Sequence, residues 1–237
     1  MDSTAKLEVD ALSVRRGALR VVEDVSFEVP VGQVVGLVGL NGAGKSSLLA
    51  CLGGELPVDA GTLRFAGKDL TRSPSWERCR CGIALIPERR RLFGGLSVLD
   101  NLLLGGHLRT KAERAEALDR VFSLFPLLRD KQRQKARELS GGQQQMVAVG
   151  RGLLAMPQIL MLDEPSEGLA PVVVGQMFQA ILTMSREMGL GILLAEQNAA
   201  VADIADTLIF MQGGRVTESR PVEKSDAVDI AGLVFGG

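Results

Sequence analysis

The chain has 237 residues, 46% of them hydrophobic, and a formal net charge of −1. This length accommodates one large domain with an inserted subdomain, and the apolar fraction suffices for a packed core. The near-zero charge excludes a general attraction to nucleic acid or anionic membranes, so we expect no nucleic-acid partner.

Cysteine content and apolar runs indicate the compartment. Three cysteines are too few for a disulfide framework, and Cys79 and Cys81 lack the further ligands of a metal site. No apolar run reaches the length of a membrane span, and the acidic residues 1–10 lack the apolar stretch of a secretory signal. We therefore expect a protein of the reducing cytoplasm.

The first predicted elements are paired strands. Residues 6–9 and 25–29 alternate apolar and polar side chains, which is typical of half-exposed antiparallel strands, with a turn at 15–17. Residues 34–38 are continuously apolar and predict a buried strand.

A glycine-rich loop follows that buried strand. Gly39 to Ser46 match the phosphate-binding pattern Gly-x-x-x-x-Gly-Lys-Ser, and a helix is predicted from Lys45. Its backbone N–H groups and the helix dipole favour an anion, Lys45 would reach the β- and γ-phosphates, and Ser46 would ligate Mg²⁺. An accidental glycine turn is disfavoured by the flanking strand and helix. The candidate phosphate-binding residues are Gly39, Leu40, Asn41, Gly42, Ala43, Gly44, Lys45, Ser46 and Ser47.

The middle of the chain has a different character. Residues 62–65 and 83–86 predict further strands, whereas 89–150 predict a mostly helical insertion. Within it, 112–125 is amphipathic, and the lone His107 is expected at the surface. The apolar face predicted for that helix comprises Ala115, Leu118, Phe122 and Phe125.

Strands and helices alternate again towards the end of the chain. Residues 159–162 and 191–195 predict strands buried on both faces, separated by a helix over 172–188. A hairpin is predicted over 208–216. This alternation indicates an α/β fold with a mainly parallel central sheet.

Two acids follow the first of these strands. The carboxyl ends of parallel strands are where α/β sheets bind ligands, so Asp163 is a candidate Mg²⁺ ligand, acting through water. Glu164 is the candidate general base for the water that attacks the γ-phosphate. A solvent-facing strand end is the alternative, and the phosphate loop argues against it.

A second glycine motif predicts another helix start. Ser140 and Gln143 form the capping-box pattern Ser-x-x-Gln, which alone indicates only a helix N-terminus. Gly141 and Gly142 would let a ligand approach the exposed N–H groups, so Ser140, Gly141, Gly142 and Gln143 form a second candidate phosphate site.

With these three motifs in the family's order, the chain resembles the ATP-binding cassette ATPases over essentially its whole length. The resemblance implies a RecA-like P-loop NTPase core (6–88 and 151–216) with an antiparallel β subdomain, an inserted helical subdomain (89–150) and a short C-terminal tail (217–237). It also implies ATP and Mg²⁺ as cofactors and a dimer, with each ATP between one chain's phosphate loop and the other's Leu-Ser-Gly-Gly-Gln signature.

Four positions depart from the family's usual pattern. Arg16 replaces an aromatic residue; it would stack on adenine or, equally, be a solvated turn residue. Glu88 replaces Gln and keeps an oxygen for Mg²⁺ or water. Gln197 replaces the switch His; its amide would donate to the γ-phosphate without titrating. Ala170 replaces an Asp. The candidate catalytic residues are thus Glu164, Gln197 and Lys45.

Segments 87–93, 168–171 and 196–198 resemble an ATPase subunit of the branched-chain amino acid importers, and the urea and amide importers share much of this pattern. That resemblance implies a non-identical second ATPase subunit, two membrane permease subunits and, indirectly, an external solute-binding protein. The chain would lie at the cytoplasmic face of the inner membrane. The candidate permease contacts, which alternatively form a solvated basic loop, are Arg89, Arg90, Arg91, Leu92 and Phe93.

Other functions remain as alternatives at this point. A soluble cassette ATPase acting on ribosomes or DNA would usually carry two cassettes, a coiled-coil insertion or basic extensions, none of which this sequence contains. A P-loop GTPase would leave the signature unexplained and would need an Asn-Lys-x-Asp segment, which is not present.

Overall fold

The computed structural model describes residues 5–223. The strands are β1 (Lys6–Arg16), β2 (Leu19–Pro30), β3 (Val34–Val38), β4 (Ala60–Phe65), β5 (Lys68–Asp69), β6 (Ile83–Ile86), β7 (Ile159–Asp163), β8 (Gly191–Glu196), β9 (Thr207–Gln212) and β10 (Arg215–Pro221). The α-helices are α1 (Lys45–Leu52), α2 (Ser75–Arg80), α3 (Val98–Gly105), α4 (Lys111–Leu124), α5 (Pro126–Asp130), α6 (Gly141–Leu153) and α7 (Pro171–Arg186).

The strands form two sheets. The smaller is antiparallel with the order β2-β1-β4-β5. The larger has the order β10-β9-β3-β8-β7-β6, with all neighbours parallel except the β10–β9 pair. The predicted α/β fold with a mainly parallel sheet is confirmed. Because β3 is flanked by β8 and β8 by β7, the carboxyl ends of these three strands meet at one edge.

Both faces of the central sheet are covered. Val34 and Val38 of β3 pack in a core with α6, α7 and the helical insertion, whereas Val35 and Leu37 pack with α1 and the antiparallel sheet. This two-sided burial explains why β3 and β7 are continuously apolar in sequence.

Helices α3 to α6 lie between β6 and β7 in the chain, and α6 continues to Leu153, past the predicted boundary at 150. The predicted amphipathic helix corresponds to α4, but the predicted apolar face was wrong at its N-terminal end. Ala115 is exposed, whereas Ala117, Val121 and Phe122 are buried. The period of the pattern was correct and its phase was shifted, because small alanines on both faces carry little phase information.

The predicted C-terminal tail needs correction as well. Strand β10 runs to Pro221 and pairs antiparallel with β9, so residues 217–221 belong to the central sheet. The predicted hairpin over 208–216 includes the start of β10, but residues 217–221 do not alternate with apolar ones and so gave no sequence signal for the rest of the strand. Predicted tail residues 224–237 lie outside the described residues. Among residues 5–223, every helix is too short or too polar to cross a lipid bilayer.

Candidate active site

The loop between β3 and α1 is shaped by glycines. Gly42 and Gly44 have φ values of +82° and +106°, in the left-handed region that favours glycine. At Gly44 a Cβ atom would also lie 2.7 Å from the Val21 carbonyl oxygen. At Gly39 it would lie 2.3 Å from the Met211 carbonyl oxygen. The loop therefore curls tightly against β2 and β9, as a phosphate cradle must.

Lys45 is held inside this loop, with only 3% of its side chain exposed. Its ammonium donates to the carbonyl oxygens of Gly39 at 2.7 Å and Leu40 at 3.3 Å. It also forms an ion pair with Glu164 Oε1 at 3.0 Å. The structure thus brings together the predicted phosphate-binding cation and the predicted general base, which are 119 residues apart in sequence.

Ser46 and Asp163 form a second link between α1 and β7. The Ser46 hydroxyl donates to Asp163 Oδ1 at 3.1 Å. Burial raises the pKa of Asp163 to about 6, the hydrogen bond from Ser46 opposes the shift, and the charges of Glu164 and Glu88 add to it. A site that raises a carboxyl pKa in this way would gain from a divalent cation.

These oxygens fit Mg²⁺. A hydroxyl and a carboxylate side by side, next to a phosphate cradle, match the preference of Mg²⁺ for few protein ligands plus phosphate oxygens and water. Within residues 5–223, no group of three His, Cys, Asp or Glu side chains forms a metal site.

Glu164 lies on an unusual turn after β7. Its φ is +48°, and its N–H donates to the Ala195 carbonyl oxygen at 2.9 Å. Gln197 donates from Nε2 to Glu164 Oε2 at 2.6 Å and to Asn41 Oδ1 at 2.8 Å. Gln197 therefore connects the predicted base to the phosphate loop.

The predicted capping box forms at the start of α6. Gln143 N–H donates to Ser140 Oγ at 3.4 Å, and Ser140 N–H donates to Gln143 Oε1 at 3.1 Å. Exposed Gly141 and half-buried Gly142 follow the cap. This candidate phosphate site is built on the helical insertion, separately from the phosphate loop.

The loop after β6 places Glu88 and the arginines. Glu88 is exposed, yet its charge acts on Asp163, so the two lie on the same side of the site. Arg90 donates from Nε to Gln145 Oε1 at 3.0 Å. Arg151 donates to the carbonyl oxygens of Arg90 at 2.8 Å and Arg91 at 2.7 Å. The loop is therefore fastened to α6.

Arg16 ends β1, opposite Leu19, and is exposed. The predicted turn at 15–17 was placed too early, because β1 includes Arg16 and the turn follows at 17–18. The same hairpin reaches the phosphate loop where Val21 meets Gly44. Stacking of Arg16 on adenine stays a prediction.

Sequence reasoning missed one buried acid. Glu196 is only 2% exposed and accepts a hydrogen bond from Ser166 N–H at 3.0 Å. The available signal was a charged residue that directly continues the apolar strand 191–195.

Comparisons with known proteins agree with this geometry. The ABC transporter family model matches residues 22–167. The high-affinity branched-chain amino acid transport ATP-binding protein BraG of Pseudomonas aeruginosa is 42% identical over 89% of this chain and 90% of its own length. The probable branched-chain amino acid transport ATP-binding protein LivF of Archaeoglobus fulgidus is 35% identical over 84% of each chain.

A solved structure of a nucleotide-free ATP-binding cassette from an ABC transporter superimposes with a TM-score of 0.83 at 25% identity, covering 99% of this chain and 96% of that one. The family match, the sequence relatives and the fold all point the same way. The chain belongs to the ABC transporter family, as one of its ATPase cassettes.

Proposed function

We propose that this protein binds and hydrolyses ATP to power an importer for branched-chain or other hydrophobic amino acids. The observation that carries the ATPase part is the contact of Lys45 and Gln197 with the two carboxylate oxygens of Glu164, beside the phosphate loop. The solute class is supported by the name of the 42% identical relative from Pseudomonas aeruginosa.

In the proposed reaction, the phosphate loop holds the nucleotide with its N–H groups and with Lys45. Glu164 accepts the proton of the attacking water, and one N–H of Gln197 orients the Glu164 carboxylate. The other N–H, which donates to Asn41 in this structure, would turn to the γ-phosphate when nucleotide is bound. Ser46, Asp163 and Glu88 would hold Mg²⁺, which when bound neutralises charge on the phosphates. Arg16 would stack on the adenine ring of ATP.

We assign the signature residues Ser140 to Gln143 to the nucleotide of a second ATPase subunit. Their position on the helical insertion, apart from the phosphate loop, supports this division of the site. We propose a non-identical partner subunit, as in the importer class that the sequence resembles. The helical subdomain would comprise residues 89–150, with α6 leading back to the core.

An apolar groove supports docking of the permease. Trp76 and Phe93 are each 56% exposed, and Leu104 is 42% exposed, around a groove of about 430 Å³. Arg151 also lines this groove while holding the loop that carries Arg90 and Arg91. A permease bound there, at the cytoplasmic face of the inner membrane, would contact the loop that follows Glu88.

The test of the catalytic assignment is Glu164→Gln. The variant should bind ATP with near-native affinity and lose turnover by about 100-fold or more, because the general base is gone while the cradle remains. Glu187→Gln, at an exposed position after α7, is the matched control and should hydrolyse ATP normally. Near-native turnover by Glu164→Gln would remove Glu164 from this role.

The transport assignment is tested by purifying the tagged chain from solubilised native membranes and identifying its partners. A membrane permease with a second, different cassette ATPase is expected, and reconstitution with the co-purified binding protein should show uptake of leucine or valine. Uptake of urea or amides instead would replace the solute class. Ribosomal or DNA-bound partners without a permease would overturn the importer assignment.

A further inference from the structure

The buried carboxylate of Glu196 has no part in the reaction proposed above. It ends β8 with 2% exposure, and burial raises its pKa. Hydrogen bonds from the Ser166 hydroxyl, the Ser166 amide and the Asn198 amide act in the opposite direction. The Ser166 N–H donates to Glu196 Oε1 at 3.0 Å, so this buried carboxylate serves as an acceptor, a role that offsets the cost of its burial.

The position of this carboxylate along β8 is informative. Ala195, Glu196 and Gln197 are consecutive, and all three hold the turn that carries Glu164. The Ala195 carbonyl accepts from Glu164 N–H at 2.9 Å, and Gln197 donates to the Glu164 carboxylate at 2.6 Å. Glu196 Oε1 accepts from Ser166 N–H at 3.0 Å. Strand β8 and the residue after it therefore hold the backbone of Glu164, the backbone of Ser166 and the side chain of Glu164.

The turn needs such support. Glu164 adopts φ of +48°, a left-handed conformation that is unfavourable for a side chain with a Cβ. Pro165 follows and has no N–H, so Glu164 and Ser166 supply the only backbone donors of residues 164–166. Both donors are bound by β8, one of them through Glu196. Within the turn, Glu167 N–H donates to the Glu164 carbonyl oxygen at 3.1 Å. The bond from Ser166 N–H to Glu196 is the contact that ties the second half of the turn to β8.

We propose that Glu196 is a positioning residue for ATP hydrolysis, which fixes the turn that aims Glu164 by accepting the Ser166 N–H. The proposal rests on the assignment of Glu164 as general base. Glu196 acts through the turn, so it should influence the chemical step and leave nucleotide binding by the phosphate loop unchanged.

The experiment compares Glu196→Ala and Glu196→Gln in the full chain, together with any subunits that co-purify. Steady-state ATPase rates are divided by the number of nucleotide-binding sites titrated in each preparation. A misdirected base should lower kcat per site by about 10- to 100-fold in Glu196→Ala. The KM for ATP and the nucleotide affinity should stay near native. Glu196→Gln keeps an acceptor oxygen for Ser166 N–H and should recover much of the lost kcat.

A matched control separates positioning from stability. Leu63→Ala truncates a fully buried residue of β4 that is not one of the site residues, and should lower Tm without lowering kcat per site. If Glu196→Ala does not fold, Glu196→Asp replaces it. The shorter Asp side chain should lose the bond to Ser166 N–H and lower kcat, while Glu196→Gln should keep both. Native kcat per site in Glu196→Ala or Glu196→Asp overturns the proposal, as does a loss of binding sites alone.

Failure of this proposal differs from failure of the proposed function. If Glu164→Gln is inactive and Glu196→Ala is fully active, the base assignment stands and the positioning role is wrong. If Glu164→Gln hydrolyses ATP normally, the assignment of the base itself is wrong.

Discussion

Helices α1 and α6 both begin beside glycines, and both are candidate phosphate sites, but their first turns differ. The N-cap of α1 is Gly44, which is left-handed and provides no side-chain cap. The N-cap of α6 is Ser140, whose hydroxyl and backbone N–H are both paired with Gln143. The first N–H groups of α1 therefore have no side-chain acceptor from a cap, whereas at α6 the capping box satisfies two N–H groups.

This difference suggests a division of labour. An uncapped helix N-terminus is incomplete until an anion arrives, so α1 is suited to bind phosphate by itself. At α6 the cap already satisfies two donors, which stabilises the insertion without a ligand. A phosphate at α6 would gain less from the helix alone, which fits a site that is filled only when another subunit delivers its nucleotide.

The largest effect should come from Lys45→Ala, which removes the cation of the uncapped site. Charge-assisted bonds to the phosphates would be lost, and ATP affinity should fall about 100-fold, with turnover undetectable. Nucleotide binding by fluorescence titration measures this, and Lys111→Ala, an exposed lysine at the start of α4, is the control. Equal ATP affinity in Lys45→Ala and the native chain would show that α1 does not anchor the phosphates.

Arg78→Met tests how the other end of α1 is held. The Arg78 side chain is 2% exposed and donates to the carbonyl oxygens of Cys51 and Leu52, the last residues of α1. Its loss removes the donor of the Leu52 carbonyl, whereas the Cys51 carbonyl keeps the Gly54 N–H, and the bonds to the Thr71 and Ser73 carbonyls are lost as well. The change should cost about 2–3 kcal/mol of unfolding free energy. Urea unfolding measures the loss. Arg80 lies on α2 with Arg78 but is exposed, so Arg80→Met should change stability little. Equal stability losses for the two variants would contradict the capping role of Arg78.

Ser140→Ala tests the capped site. Removing the cap should cost about 1 kcal/mol of unfolding free energy. Turnover should also fall, by about 10-fold, because in the proposed pair the signature would contact the partner's nucleotide, while ATP binding to the single chain should stay native. Thr110→Ala is a closely matched control, since Thr110 and Glu113 form the equivalent capping box of α4. If both variants lose stability but neither loses turnover, Ser140 is only a helix cap.

The contrast between the two helices also shows what the sequence can predict. The phosphate loop, the capping box and the Asp163–Glu164 pair were predictable because each is a local pattern whose strand or helix is strongly marked. Arg78 and Glu196 were not, because their roles depend on atoms brought together by packing, 26 and 30 residues away in sequence. The start of β10 was predicted as part of the hairpin over 208–216, but its continuation to Pro221 was missed because those residues lack apolar periodicity.

The smallest effect is expected where the two ends of the site are tied together. Gln197 donates both to Glu164 on the β7 turn and to Asn41 in the phosphate loop. In Gln197→His, a neutral imidazole has one N–H and keeps one of these bonds, so nucleotide binding should persist. The kcat should fall only about threefold if the retained bond is the one to Glu164.

The partner variant identifies which bond matters. Asn41→Ala removes only the bond to the loop, so it should reproduce the small loss, and combining it with Gln197→His should add little, because both changes remove the same contact. Gln197→Ala removes both bonds and should have the lowest kcat of these variants. Loss of nucleotide binding in Gln197→His would mean that Gln197 shapes the phosphate loop itself, and the open N-terminus of α1 would then depend on β8 for its form.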